Sequence, residues 1–526
     1  MENKIINKII ILLIGLFTIV GCDEFLEEDL RDEITPENFF NNDAEAVLAV
    51  NGIYREFHAN NLYGERGLDD YYVNGADVVG PSRNVNGNIH NYLIAEGVDD
   101  GNEVWVKLYD VVNGTTEFIS RIDGNESLSE DTRNQTVGEL LFLRALAYYH
   151  LTNLWGDVPY FREMLNPIEA GELGRFDKTE IRTDMKADLE RAISLLPTSY
   201  ASESASRATK WAATALKAKF HLFDKEWQLA KDECDVIIND SYHILLDDFT
   251  EVFDQSDPEN SINDEHIFVI DFKSDSGITT SRTDDYNPRI RDEPTNREED
   301  AYDESGNPVY DNSGSQMARW EYFQSLMSEY DEDMTGYGWA IPLPEIALQE
   351  NWQTGDLRYD ATIVTEHLGM ELNFPYYRKN WNLDQINSLR YNHHENYIVF
   401  RLADIYLMAA EAENELNGPG NAYQYVNKIR ERAFEPDQPW SGMSQESFRE
   451  ALYDERKFEL AAEGHRRMDL IRWGILEEVV KATVHRSWNN PAANIQPQHI
   501  LLPIPQTQIL LNANLLESDP TNNGYR

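Results

Sequence analysis

Two cysteines, Cys22 and Cys234, are all that 526 residues hold, so no disulfide framework can staple the chain. Cations are scarce too: Lys and Arg number 45 against 94 Asp and Glu, a formal charge of −49. Gripping phosphates requires clustered cations, so nucleic acid is excluded as a partner. The same imbalance argues against docking on an anionic bilayer surface. Long apolar runs are missing beyond the N-terminus. The one at Ile9–Val20 covers 12 residues, short of the roughly 20 that span a bilayer as a helix. The sequence also lacks a phosphate-cradling glycine loop, a Gly-x-Ser-x-Gly elbow and a zinc-type Cys/His set.

What is present begins with an address. Lys4 and Lys8 precede the apolar run, which ends at Gly21-Cys22. Charge, length and the small residue before Cys resemble a lipoprotein leader. Residues 1–21 are therefore expected to be a signal peptide and Cys22 the lipidated residue. Asp23, Glu24, Glu27, Glu28 and Asp29 make 22–34 an acidic tether that resembles a surface-export signal. Acyl chains would anchor the folded part to the outer membrane at the cell surface.

Hydrophobic residues make up 41% of the chain, enough for a sizeable core, and aromatics 11%, including 11 Trp and 27 Tyr. Such side chains suit both sugar stacking and helix packing. Leu141, Ala145, Tyr148 and Leu151 share one helical face within 137–152, and Gly156 and Pro159 follow as stop signals. Residues 207–239 read as a helix pair. Trp211, Ala215, Ala218 and Leu222 stripe the first helix, and Trp227, Ala230, Cys234 and Ile237 the second, which makes Cys234 a packing residue. The scheme repeats over 397–432: Ile398, Leu402, Ile405, Ala409, Ala412 and Leu416 form the stripe, Asn417-Gly418-Pro419-Gly420 the break, and Tyr425, Ile429 and Arg432 lie on the partner. A further helix is expected over roughly 445–473. Residues 272–340 are polar and aperiodic, with a hairpin expected at Asp303–Gly314. The tail from 501 reads as an extended segment lying across the helices.

Six motifs in order carry a resemblance. They are TPENFFNNDAEAVLAVNGIY (35–54), Trp105, Tyr109 and Asn113 within 103–122, LFLRALAYYHLTNLWGDVPYF (141–161), YIVFRLADIYLMAAEAENELNG (397–418), ERKFELAAEGHRRMDLIRWG (455–474), and LLPIPQTQILLNANL (501–515) with the closing NNGY. Together they resemble the SusD/RagB-like outer-membrane nutrient-binding lipoproteins. Asn522 and Asn523 stand where Gln-Asn-Pro is usual. The resemblance implies a mostly α fold, with four TPR-like helix pairs packed against an irregular, loop-rich half containing small β-hairpins. On this reading 35–526 is a single SusD-like domain. Its helices fall mainly within 35–60, 103–240 and 397–475, and its ligand-facing part covers about 62–102 and 250–396. The resemblance further implies a non-enzymatic, cell-surface lid that captures oligosaccharide and delivers it to a TonB-dependent SusC-like transporter. The alternatives are a binder of peptide or another nutrient on the same scaffold and, less favoured, a surface glycoside hydrolase.

Glu455, Glu459 and Glu463, at i, i+4 and i+8, could bind metal or perform acid/base work. Like charges so placed repel, so the favoured reading is a buried ion network with Arg456, Arg466, Arg467 and Arg472, and with Arg401 and Arg430 from the neighbouring pair. His393-His394-Glu395 lacks metal-binding spacing and reads as structural. No cofactor or catalytic residue is expected. Asp303, Asn307 and Asp311 could supply oxygens to a structural Ca²⁺, though not with EF-hand spacing. Trp105, Trp155, Trp211 and Trp473 lie in helical motifs and are expected to pack. Ligand candidates are the loop aromatics and their polar neighbours: Tyr72, Asn74, Arg83 and Tyr92 in one cluster, Trp320, Tyr322, Tyr337 and Trp339 in another. Trp381 and Tyr376–Tyr377 form a weaker third.

Overall fold

The computed structural model describes residues 39–83, 88–95, 101–201, 204–256, 261–273, 277–288, 296, 298–302, 307–327, 336–367, 370–380, 393–486 and 490–526. The leader, Cys22, the tether, Asp303 and Trp381 lie outside them.

Polar caps mark where the helices begin. Asn42 opens α1 (Asp43–Phe57) by accepting from the Glu45 N–H. α2 spans Asn102–Ile122. Ser129 opens α3 (Glu130–Trp155) and Gly156, at φ 75°, closes it. Asp177 caps α4 (Lys178–Leu195) and Thr209 caps α5 (Lys210–Phe223), each side chain satisfying an orphan N–H of the first turn. α6 (Trp227–Asp240) follows α5 after a short turn, and α7 is Arg319–Met327. Gly418 ends α8 (Leu402–Asn417), and Pro419 starts α9 (Pro419–Ala433) at its first position, where a missing N–H costs nothing. α10 (Gln445–Glu459) and α11 (Arg466–Trp473) complete the frame.

These helices stack as a continuous layer. α2 packs on α3, α3 on α4, α4 on α5, α5 on α6, α6 on α8, and α8 on both α9 and α10, while α1 lies over α2 and α3. The expected stripes of α5 and α6 are buried: Trp211, Ala215, Ala218 and Leu222 on one, Ala230, Cys234 and Ile237 on the other. Trp105, Trp155 and Trp211 are core residues, and Trp473 stacks on Tyr453 at 3.8 Å.

Three sequence expectations change. The single face assigned to 137–152 is in fact every face: each residue from Thr136 to Trp155 is buried, because α1, α2 and α4 enclose α3. Ile398 belongs to a strand, not to the α8 stripe. Finally, the helix expected over 445–473 is broken. Glu459 is its last residue, and Ala462 and Gly464 turn the chain at φ 60° and 80°, so Glu463 does not continue the face of Glu455 and Glu459.

Among the described residues, three antiparallel strand pairs support the loop half. β1 (Val79–Pro81) pairs with β3 (Ala340–Pro342), Val79 opposite Pro342. β2 (His266–Ile270) pairs with β6 (Tyr397–Arg401), Ile270 opposite Tyr397. β4 (Ile363–His367) pairs with β5 (Met370–Tyr377), Ile363 opposite Tyr377. The tail does cross the helices: the Leu502 N–H donates to the Leu154 carbonyl at 2.7 Å, and Trp155 Nε1 donates to the Pro503 carbonyl at 3.1 Å. Asn523 Nδ2 donates to the carbonyls of Trp155 (2.9 Å) and Leu502 (2.7 Å), so the position that departs from the family pattern works as a clamp.

Candidate ligand-binding site

The acidic cluster on α10 is the first candidate, and its geometry makes it structural. Glu459 accepts from Arg358 (3.0 Å), Arg401 (2.8 Å) and Arg432 (2.5 Å). Glu455 accepts from Arg358 and Arg430, each at 2.6 Å. Glu463 accepts from Arg401 (2.6 Å) and Lys379 (2.8 Å), and Glu265 from Arg401 (2.9 Å) and Arg432 (2.6 Å). Burial alone would raise the Glu459 carboxyl, but the surrounding cations outweigh it and hold the group well below its usual range. Burial pulls the Lys379 ammonium down to about 8. Acids saturated by guanidiniums have no lone pair to offer a metal or a substrate.

Four of the expected cations lie elsewhere. Arg456 pairs with Asp404 (2.9 Å) and Asp469 (2.8 Å), Arg472 with Asp469 (2.8 Å) and Glu411, and Arg466 with Asp77 (2.7 Å). Arg467 donates to the His499 carbonyl at 2.8 Å. Their partners come from segments distant in the chain or from the α11 side of the break. His393 bonds to Asp284 at 3.0 Å and Glu395 accepts from the Thr283 hydroxyl at 2.9 Å, so these two of the three residues are structural as well. Among the described residues no group of three or more His, Cys, Asp or Glu is arranged to hold a metal ion.

The loop side is built differently. Arg83 reaches across to the Tyr337 carbonyl at 3.0 Å, and the Ser82 N–H to the Trp339 carbonyl at 2.9 Å. β1 and β3 thus bring together parts of the two clusters that the sequence kept separate. Arg66, with 37% of its side chain exposed, grips Asp285 through both its Nε (2.9 Å) and Nη2 (2.8 Å). The same guanidinium lies 4.4 Å over the Trp339 ring, a cation–π contact. Behind Trp339 sits His90, which burial drives down to about 3. It is therefore neutral, and its Nε2 lies 3.5 Å from Trp339 Nε1. Burial raises Asp70 to about 7, with Arg66 opposing and Asp285 adding to the rise. Neither Arg66, His90 nor Asp285 was singled out from sequence. They lie in three separate segments with no motif joining them.

Other candidates prove to be framework. Tyr72 is buried and bonds through its hydroxyl to His150 Nδ1 at 2.7 Å. Buried Asn74 donates to Asp70 at 3.0 Å. Tyr92, also buried, donates to the Gly75 carbonyl and stacks on His499. Tyr377 donates to the Val78 carbonyl at 2.7 Å, and Tyr376 is likewise buried. With hydroxyls engaged, buried Tyr72, Tyr92 and Tyr377 hold loops in place, and Tyr376 is buried beside them. Trp339 is only 7% exposed, so Arg66 and not the indole meets solvent there.

Trp320 and Tyr322 are half-buried in the first turn of α7. Just before them the expected hairpin is a more elaborate turn: 299–302, 307–311 and 315–319 hydrogen-bond to one another in a ring. Asp311 accepts from the Ser313 hydroxyl (2.7 Å) and from the N–H groups of Ser313 (2.8 Å) and Ser315 (2.9 Å). Those contacts engage Asp311 alone of the three residues that the sequence offered to Ca²⁺, and Asp303 lies outside the described residues.

This combination of helical stack, C-terminal crossing tail and loop half has known relatives. Residues 271–525 match the family model described as the SusD family, and residues 24–222 the SusD-like model described as "Starch-binding associating with outer membrane". SusD-like protein P25 of Formosa agariphila is 40% identical, covering 99% of this chain and 100% of its own. SusD-like protein P2 of the same organism is 28% identical over 98% of both. The chain belongs to the SusD family. Solved structures agree in fold. A "Laminarin binding SusD-like protein" superposes with a TM-score of 0.70 at 22% identity, covering 90% of this chain and 98% of its own. Surface glycan-binding protein A from Bacteroides uniformis does so with a TM-score of 0.67 at 18% identity, covering 92% and 100%.

Proposed function

We propose that this protein is a lipid-anchored, cell-surface glycan-binding protein of the outer membrane. It captures oligosaccharide without cleaving it and delivers it, as a lid, to a TonB-dependent SusC-like transporter. The observation that carries this reading is the division of labour in the molecule. The acids of the helical half are neutralised by buried cations, while aromatic and guanidinium groups gather on the loop side. Such a frame holds a grasping surface still. Support also comes from the relatives, whose names speak of laminarin, starch and surface glycans. The leader-like segment ending at Cys22 supports the anchor. The test is a glycan array and a hydrolysis screen with the chain from Asp23 onward. Retention of a glycan with no product released is expected. Release of product from any retained glycan would turn the reading to an enzyme, and peptide-dependent thermal shifts with none for sugars would turn it to a peptide binder.

A further inference from the structure

Arg486 is a half-buried guanidinium that no carboxylate meets among the described residues, in a chain of 94 acids and 45 bases. The buried arginines of the frame behave otherwise. Arg358, Arg401, Arg430, Arg456, Arg466 and Arg472 each pair with an acid. The Nε of Arg486 is buried and bonds to nothing, and a buried donor left unmet is costly. Burial pulls the guanidinium below its ordinary range, opposed by Tyr376 and by no carboxylate. Glu345 reaches the same segment, but it accepts from the Val484 N–H at 2.7 Å and pairs with no cation among the described residues.

Two contacts fix where Arg486 stands. Its Cζ lies 4.9 Å over the ring of Phe374 on β5, a cation–π contact that supplies no oxygen acceptor for its N–H groups. His485 Nε2 donates to the Val480 carbonyl at 2.9 Å, which pins the segment carrying Arg486 to the helix Leu476–Ala482. Arg486 and His485 share a hollow with Gly75, Gly80, His90 and Leu343. Its free space, about 270 Å³ including the solvent at its mouth, is below the roughly 300–1,000 Å³ of a pocket that engulfs a whole ligand. It suits a charged substituent of a larger molecule.

His90 offers a second donor there. It is 4% exposed and neutral. Trp339 Nε1 can only donate, so His90 accepts at Nε2 and keeps its proton on Nδ1. That N–H meets no acceptor among the described residues. The charge of Arg66 is felt at His90 as well, so the hollow lies in a positive field although the whole chain is strongly negative.

Resting on the glycan-binding reading, we infer that Arg486, with the Nδ1–H of His90, forms an anion subsite that takes the carboxylate or sulfate ester of an acidic oligosaccharide. A neutral hydroxyl cannot cancel a guanidinium. A carboxylate or sulfate presents paired oxygens that match its fork. His90 also backs Trp339, so the subsite adjoins the Arg66–Trp339 group of the loop side.

The test uses the chain from Asp23 onward and oligosaccharides of matched length in three arms: neutral, uronate-containing and sulfated. The parent should retain at least one acidic arm more tightly than the neutral one, and the arm retained tells carboxylate from sulfate ester. Arg486→Gln should weaken that binding about tenfold or more and leave the neutral arm unchanged. Arg486→Lys should recover part of it, as a charge without the fork. On the parent itself, the retained acidic glycan should shield Arg486 from phenylglyoxal, read by peptide mass, a measurement independent of how the variants fold. The subsite is overturned, and the binding reading stands, if the three arms are retained equally, if acidic-glycan binding survives Arg486→Gln, or if phenylglyoxal modifies Arg486 equally with and without glycan. If the parent retains no glycan in any arm, the binding reading itself fails and the subsite goes with it.

Discussion

Trp339 shows how one side chain decides between two roles. As an aromatic in a loop it reads as a ligand contact, yet Arg66 covers its face and His90 backs it. Trp339→Ala should cost about 3–5 kcal/mol, as for a large buried aromatic, measured as a lowered urea midpoint; an unchanged midpoint would return it to the ligand list. Buried histidines set the response to acid. Burial lowers His90 and His150 to about 3 and His266 and His465 to about 4, from an ordinary 6.5. Below 6.5 the unfolded chain protonates these rings while the folded one does not. The unfolded state then binds more protons, so stability declines as pH falls from about 6.5 toward 4. Glu459 and Asp469 add a second loss. Their folded values lie below the ordinary 4.5 and 3.8, with Asp469 at about 2, so their contribution is complete above the unfolded values and vanishes as pH drops through the folded ones. Urea midpoints across pH should therefore fall in two stages, and a flat profile between pH 6.5 and 4.5 would contradict the first. Glu459→Gln should itself cost about 3–5 kcal/mol, since Arg358, Arg401 and Arg432 would lose their shared counter-charge in the interior.

Among the elements, the helix pairs were legible because their apolar spacing is periodic. Small residues along α5 and the stripe around Cys234 fold as read. What failed was local ambiguity. Ile398 extends the α8 spacing by one step, but pairing with β2 decides its conformation, and spacing alone does not separate a short strand from a helix turn. The break after Glu459 depends on Gly464, whose φ of 80° suits glycine and whose added Cβ would meet the Tyr397 hydroxyl at 2.7 Å. Gly464→Ala should destabilise by about 1–3 kcal/mol through that strain and clash, checked by thermal melting. Partners of the acids at Glu455, Glu459 and Glu463 were only partly visible, because Arg358 and Lys379 come from short helical turns in the loop half that no long helical pattern connects to α10. Asn523→Ala removes the donor shared by the Trp155 and Leu502 carbonyls and should loosen the tail, a loss of about 1–3 kcal/mol seen as faster amide exchange at Leu502.

For the molecule as a whole, the fold was legible because six motifs are spread along its length, whereas the loop segments between them carry neither periodicity nor motif by which individual ligand candidates could be chosen. The anchor is tested at this scale: Cys22→Ala should release the protein from the membrane fraction, and unchanged sedimentation with membranes would count against lipidation. The ion lattice has a further consequence. Arg358, Arg401, Arg430 and Arg456 are sealed inside against matching acids, so the interior is close to neutral and the surplus of 94 acids over 45 bases is displayed outward. Neighbouring copies must then repel one another over about 30 Å in dilute salt but only about 8 Å at physiological ionic strength. How densely they can crowd on a surface becomes a property of the surrounding brine.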